Sequence, residues 1–169
     1  MANMMKFQAL IDIFQVVPPE VGTFLLSVLP ATETRISLPL ALTVYHLSDF
    51  SALFWVFAGN MMVIPIAFYW FSPLLAYAEK RWKRFHYFLD HHIRTLETKH
   101  REGYEKYGTF LLFLITAIPL PTLGMWSSAL LAVIFNMKTR RTVLYLALGQ
   151  LVAMGIVFAL TKGGVALLQ

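Results

Sequence analysis

The sequence predicts an all-α integral membrane protein: an inverted repeat in which each half is a re-entrant helical hairpin followed by a transmembrane helix. Three observations predict it. Hydrophobic residues fill 58% of the 169 positions and charged ones 14%, with a mean hydropathy of +0.63, values typical of integral membrane proteins. Two proline-flanked breaks interrupt apolar stretches: Pro30-Ala31-Thr32-Glu33-Thr34-Arg35 ahead of Pro39, and Pro119-Leu120-Pro121-Thr122-Leu123-Gly124. The segments before them echo each other, Gly22-Thr23-Phe24-Leu25-Leu26 against Gly108-Thr109-Phe110-Leu111-Leu112. In lipid a backbone can break only where protein or a water-filled cavity satisfies its polar groups. Paired breaks in corresponding halves point to a transporter's binding site.

Residues 1–20 are expected to form a short interfacial helix. Phe7, Leu10, Ile11 and Phe14 fall on one helical face. Val17-Pro18-Pro19 then breaks the pattern without a small-residue cleavage site, so no signal peptide is expected. The first repeat occupies residues 21–78 and the second 107–169. Their spanning helices lie in the uncharged runs Phe50 to Ala78 and Thr142 to Thr161, since about 20 apolar residues cross a bilayer. Trp55, Tyr69, Trp70 and Tyr77 supply interfacial anchors. Phe54 through Asn60 aligns with Leu144 through Gln150, each ending in a glycine followed by an amide. The offset between halves drifts from 86 residues at the Gly-Thr-Phe-Leu-Leu match to 90 at this one.

Each interrupted stretch, Val21 to Leu47 and Tyr107 to Met137, could be one kinked span or a hairpin that dips in and returns. Charge chooses. Of 14 Lys and Arg, eight lie in the connector 79–106 and three in Lys138-Thr139-Arg140-Arg141. A hairpin puts all of them on one face, as the positive-inside rule requires; a single span splits them. A hairpin plus one span is an odd number of crossings, so the second half enters from the opposite face. The connector and the basic loop are then cytoplasmic and both termini outside, in a multi-pass protein of the plasma (inner) membrane. Within the connector, Trp82, Phe85, Phe88 or Leu89, Ile93 and Leu96 recur at helical spacing. They predict an amphipathic helix to about Thr98, lying on the anionic leaflet.

Composition narrows the function classes. Cysteine is absent, which removes disulfides and thiolate metal sites. The net charge of +5 sits beside apolar runs, so positive-inside topology accounts for it and no nucleic-acid partner is expected. His86, His91, His92 and His100 lack metal-ligand spacing. No Ser-His-Asp set, phosphate loop or paired catalytic carboxylates occur. No metal, cofactor or enzymatic activity is expected.

Glu33 and Arg35 are the sharpest site candidates, because ionisable groups at membrane depth default to function. Arg35 offers a planar fork suited to phosphate or carboxylate. Glu33, held away from water, would bind and release a proton near neutral pH. The alternative is that the two simply pair, or sit in interfacial water. Pro119, Pro121, Gly124 and Trp126 form the counterpart, where freed amides at a half-helix N-terminus could hold an anion; Ser127 and Ser128 could line the same cavity. The alternative there is a packing kink. Asn60 and Gln150 are ligand candidates at matched depth, or interhelical hydrogen-bond partners.

Leu29-Pro30-Ala31-Thr32-Glu33-Thr34-Arg35-Ile36-Ser37-Leu38-Pro39-Leu40-Ala41, Tyr104-Glu105-Lys106-Tyr107-Gly108 and Ala117 through Trp126 resemble, in order, three blocks of the putative small multidrug export proteins. The chain departs from that pattern at Ser37 and at Thr122-Leu123-Gly124-Met125-Trp126. The family is in turn distantly similar to the DedA membrane proteins. That resemblance implies inverted re-entrant hairpins, proton-dependent transport or flipping of lipid phosphates, and functional roles for Glu33, Arg35, Pro39, Pro119, Pro121, Gly124 and Trp126.

Three functions follow as expectations. The first is a proton-coupled carrier or flippase for an anionic lipid headgroup or small amphiphile. The others are a non-transporting membrane scaffold and a cationic drug exporter. Arg35 beside Glu33 opposes a bare cation. The expected partners are the lipid bilayer, a small-molecule or lipid substrate and protons; self-association into a homo-oligomer stays open.

Overall fold

The computed structural model describes residues 17–74, 77, 101–119, 124–135, 137 and 139–167. The expected N-terminal interfacial helix, the amphipathic connector helix up to Thr98, and Pro121 lie outside the described residues. Among the described residues there is no strand. The helices are α1 (Pro19–Val28), α2 (Glu33–Thr43), α3 (Asp49–Ile66), α4 (Arg101–Ala117), α5 (Met125–Ile134) and α6 (Thr139–Leu167).

Local chemistry sets the boundaries. Pro19 opens α1, where its missing N–H costs nothing and its fixed φ suits the helix. Pro30 closes it by forcing the preceding Leu29 into an extended conformation, ψ 135°. α1 and α2 pack on each other across residues 29–32, and α4 packs on α5 across its own break. The described part of α4 includes residues 101–106 ahead of Tyr107. Gly103 costs a helix only about 1 kcal/mol, and the Arg, Glu and Lys around it are good helix formers. In α3, Pro65 lacks the N–H that would bond to Met61, and a π-helical turn at Ala67–Phe71 follows it.

The segments Asp49–Leu74 and Thr139–Gly164 are each 26 residues long and apolar. At 1.5 Å per residue each reaches about 39 Å, more than the about 30 Å of a bilayer core. Only 39% and 33% of their most apolar windows are buried inside the protein. Phe54, Leu144 and Leu160 are among the large apolar side chains left exposed. A soluble protein rarely leaves such continuous faces to water; by length and apolar composition these are two candidate membrane-spanning helices.

The described residues form two compact units. One comprises residues up to Asn60 and from Met154 onward; the other is Met61–Ala153. In the first, Leu38 and Ala41 of α2, Ala52 and Val56 of α3, and Met154 and Val157 of α6 make the core. There α3 and α6 run antiparallel: Asp49, in the first turn of α3, pairs with Lys162, near the end of α6, at 2.6 Å. In the second unit the core joins Val63, Ile64 and Ala67 to Leu112, Met125, Ala129, Ala132, Val133 and Leu146. The many alanines let backbones approach, the usual basis of helix packing in lipid.

Burial recurs along the chain. Ala52, Val56, Gly59, Asn60, Val63, Ile64 and Ala67 are buried; so, ninety residues on, are Thr142, Leu146, Gly149, Gln150, Ala153, Met154 and Val157. Thr34, Ser37, Leu38 and Ala41 of α2 match Met125, Ser128, Ala129 and Ala132 of α5 at a ninety-one-residue offset. The glycines set the register of the first limbs. A Cβ on Gly59 would stand 2.5 Å from the Phe24 carbonyl oxygen and 2.7 Å from Ser27 Cβ. A Cβ on Gly149 would stand 2.7 Å from the Phe113 oxygen and 2.9 Å from Thr116 Cβ. Phe24 and Phe113 thus sit alike against their glycines, whereas the Gly-Thr-Phe-Leu-Leu similarity pairs Phe24 with Phe110, three residues earlier. Three residues is nearly one turn, so either register presents a similar apolar face, and only the backbone approach separates them. With the two glycine contacts matched, Pro30 and Pro119 coincide.

Candidate functional site

In the first unit the site grows from the break between α1 and α2. Thr32 Oγ1 donates to the Leu26 carbonyl, and the Thr32 and Glu33 amides both reach the Leu29 oxygen, at 3.3 and 3.1 Å. Local bonds thus satisfy part of the broken backbone, as burial in lipid demands. Glu33 adopts φ 34°, in the left-handed region that non-glycine residues rarely occupy. Such strain persists only where the surroundings impose it, and it clusters at functional sites. Glu33 is also the first residue of α2, where a carboxylate complements the helix dipole.

Arg35 follows two residues later and is half-buried. Pro39 lies inside α2 and lacks the N–H that would otherwise bond the Arg35 carbonyl. Its own carbonyl accepts from Thr43 Oγ1 at 2.7 Å. Asn60 is fully buried on α3, its Nδ2 donating to the Val56 carbonyl at 2.9 Å while Oδ1 finds no donor.

The second unit holds the counterparts. Pro119 ends α4 and is half-buried. Gly124 is buried and extended (φ 168°) at the N-cap of α5. At a ninety-one-residue offset it corresponds to Glu33, and Trp126 to Arg35. Trp126 meets Phe71 edge-on at 6.2 Å and packs against the second core. Gln150 is 2% exposed on α6. Glu33, Arg35, Pro39 and Asn60 thus fall in one unit and Pro119, Gly124, Trp126 and Gln150 in the other.

Sequence reading singled out Ser128 but missed the other buried hydroxyls. Thr116 Oγ1 of α4 bonds Ser128 Oγ of α5 at 2.8 Å, tying the two limbs of the second half together. Ser27 and Ser37 occupy the matching positions on α1 and α2, and all four are fully or nearly fully buried. Ser27 lies against Gly59, and Thr116, which bonds Ser128, lies against Gly149, each glycine being followed by a buried amide. The signal was present as Ser27 and Thr116, three residues before Pro30 and Pro119, but the shifted register hid it. The second unit also contains a cavity of about 100 Å³ lined by Gly108, Leu111, Leu112, Leu131, Phe135 and Met137. Its lining carries no polar side chain.

A family model described as putative small multi-drug export protein matches residues 33–156. No curated protein and no solved structure matches the chain. The match begins at Glu33, takes in Arg35, both spanning segments' glycine–amide pairs and the second break, and covers most of the sequence. The chain, a helical membrane protein, belongs to the family of putative small multi-drug export proteins.

Proposed function

We propose that this protein is a proton-coupled membrane carrier or flippase for an anionic lipid headgroup or small amphiphile, with Glu33 as the proton site and Arg35 as the anion site. The observation that carries the reading is Glu33 held at φ 34° in a break within apolar sequence, two residues from Arg35. A strained acid beside a guanidinium at membrane depth is costly to keep and marks a transport pathway. Protonating Glu33 loosens its attraction for Arg35 and frees the fork for an anionic substrate, which couples proton to substrate without further parts.

The wider architecture is that of a DedA-like inverted repeat with re-entrant hairpins in the plasma membrane. Three observations support it. α1, α2 and α5 have 10, 11 and 10 residues, about 15–17 Å at 1.5 Å each, half a bilayer core. The buried positions of α3 recur in α6. These matching helices run in opposite directions where Asp49 meets Lys162, which is the relation expected of inverted repeats. Residues 21–78 and 107–169 are then the two repeats, joined by a cytoplasmic connector at 79–106. Pro39, Pro119, Pro121 and Gly124 shape the two breaks, with Asn60 in the first unit and Trp126 and Gln150 in the second as further binding residues.

Reconstitution in proteoliposomes with a fluorescent anionic lipid or amphiphile tests the mechanism. Glu33→Gln should abolish the pH dependence of transport, and Arg35→Gln should abolish transport of the anion, with both variants folded. Normal, pH-dependent transport by both variants would overturn the assignment. A scaffold would tolerate both changes, and a cationic drug exporter would lose drug efflux with Glu33→Gln but keep it with Arg35→Gln.

A further inference from the structure

We propose that the cavity of the second unit is a binding site for an anionic phospholipid, which seats one acyl chain end in the cavity and sets its phosphate against Arg140 and Arg141. The site stands apart from the transport assignment, whose Glu33 and Arg35 lie in the first unit. Gly108, Leu111 and Leu112 of α4 line the cavity, together with Leu131 of α5 and Phe135 and Met137 just after it. Gly108 is part of the reason the space exists, since a Cβ on it would run into Met137 Cε. The lining decides what can enter. Its walls expose no polar atom, and cavities of that kind stay dry. Left empty, the about 100 Å³ would cost about 2 kcal/mol, at about 24 cal/mol per Å³. Leu111, in the lining, is 55% exposed, so the cavity reaches the outer apolar face of α4. In a bilayer that face meets acyl chains, and a chain end in the cavity recovers the dispersion contacts that an empty space forfeits.

Sequence position gives the depth and the charge. The charged sequence Arg101 through Lys106 stops two residues before Gly108. Tyr107, between them, is 72% exposed, as suits an aromatic residue at the headgroup level. From Met137 the chain continues as Lys138-Thr139-Arg140-Arg141. Arg140 and Arg141 are exposed in the first turn of α6, no more than about 11 and 14 Å of chain from Met137. The cavity therefore lies where polar sequence gives way to apolar sequence on both strands of its lining, and cations border it. A guanidinium fork matches phosphate, and basic pockets between membrane helices hold anionic headgroups. A zwitterionic lipid offers the same chains, but its own ammonium competes with the arginines for the phosphate. The basic border thus selects the anionic class.

The test is thermal unfolding of the full-length protein in maltoside micelles with added dioleoyl phosphatidylglycerol, dioleoyl phosphatidylcholine or no lipid. Phosphatidylglycerol at about ten times its dissociation constant should raise the midpoint by about 3–6 °C over no lipid, and phosphatidylcholine should raise it by less than half as much. Leu131→Phe fills the cavity, and Leu111→Trp does so from the exposed side, where folding is least at risk. Each should remove the rise with both lipids. Arg140→Gln together with Arg141→Gln should lower the phosphatidylglycerol rise to that of phosphatidylcholine. Native mass spectrometry should count one retained phosphatidylglycerol on the parent and none on the cavity variants. Equal rises with the two lipids would overturn the proposal. So would a phosphatidylglycerol rise that survives both Leu131→Phe and Leu111→Trp, the result if the arginines serve topology and attract lipid by charge alone. Arg35→Gln, in the first unit, should lose transport and keep the lipid rise, so the two readings fail separately.

Discussion

Gly59 and Gly149 hold the spanning helices against the first limbs, and replacing them with alanine measures how tightly. The Cβ of Gly59→Ala would meet the Phe24 carbonyl oxygen at 2.5 Å and Ser27 Cβ at 2.7 Å, with the Phe24 carbonyl carbon at 3.3 Å. Two of the three atoms are backbone, so no side chain can swing away; the helices must separate by several tenths of an ångström or more. Overpacking of this kind costs about 1–3 kcal/mol, offset by the about 0.5–1 kcal/mol that alanine gains over glycine inside a helix. The net expectation is a loss centred at about 1 kcal/mol, within about 0–2.5 kcal/mol, or about 2–4 °C in the unfolding midpoint at that centre for a chain this size. Gly149→Ala, with contacts at 2.7 and 2.9 Å, should do the same slightly more mildly. Gly155→Ala is the internal control. A Cβ there meets nothing within 4 Å, so only the helical gain remains, about 0.5–1 kcal/mol of stabilisation. The assay is a thermal melt in detergent followed by tryptophan fluorescence. Midpoints for Gly59→Ala and Gly149→Ala at or above the parent's would refute the close-approach argument. So would a Gly155→Ala loss as large as theirs.

The remaining predictions concern the breaks, the hydroxyl pair and topology. Glu33→Gly removes the left-handed strain and should leave the melting midpoint unchanged or raise it by up to about 1 kcal/mol of stability, while ending proton coupling; a fall of several degrees would show that the φ of Glu33 carries no strain. A double-mutant cycle of Thr116→Val and Ser128→Ala should give a coupling of about 0.6–1.7 kcal/mol, the range for hydrogen bonds between membrane helices, and a coupling of zero would remove the limb-to-limb tie. Because the chain has no cysteine, single cysteines at Arg94 and Thr139 report cleanly on sidedness: both should be shielded from an impermeant reagent outside intact cells, and labelling of either would reverse the proposed topology.

The membrane class, the positions of the breaks and the spanning helices were legible in the sequence because each follows from local chemistry. Apolar length makes a span, proline forbids the helix from continuing, and a glycine–amide pair in Gly59-Asn60 and Gly149-Gln150 repeats in plain view. Glu33 and Arg35 stood out because charge is rare in such a setting.

Register, closure and strain were not legible, because they depend on which backbones touch. The Gly-Thr-Phe-Leu-Leu similarity aligned Phe24 with Phe110, and only the approach of Gly59 and Gly149 to the Phe24 and Phe113 carbonyls moved it by nearly a turn. A helix's apolar face looks alike after three or four residues, so sequence similarity alone is nearly indifferent to that slip. The φ of Glu33 was equally hidden, since a glutamate enters the left-handed region only when packing holds it there. Ser27 and Thr116 read as ordinary small residues until the tertiary structure set them against Gly59 and Gly149, their Cβ atoms 2.7 and 2.9 Å from where a glycine Cβ would stand. Sequence determined where this chain enters lipid and where it must break; tertiary packing decided which atoms those breaks face, because contact distance is a property of two segments and not of either one.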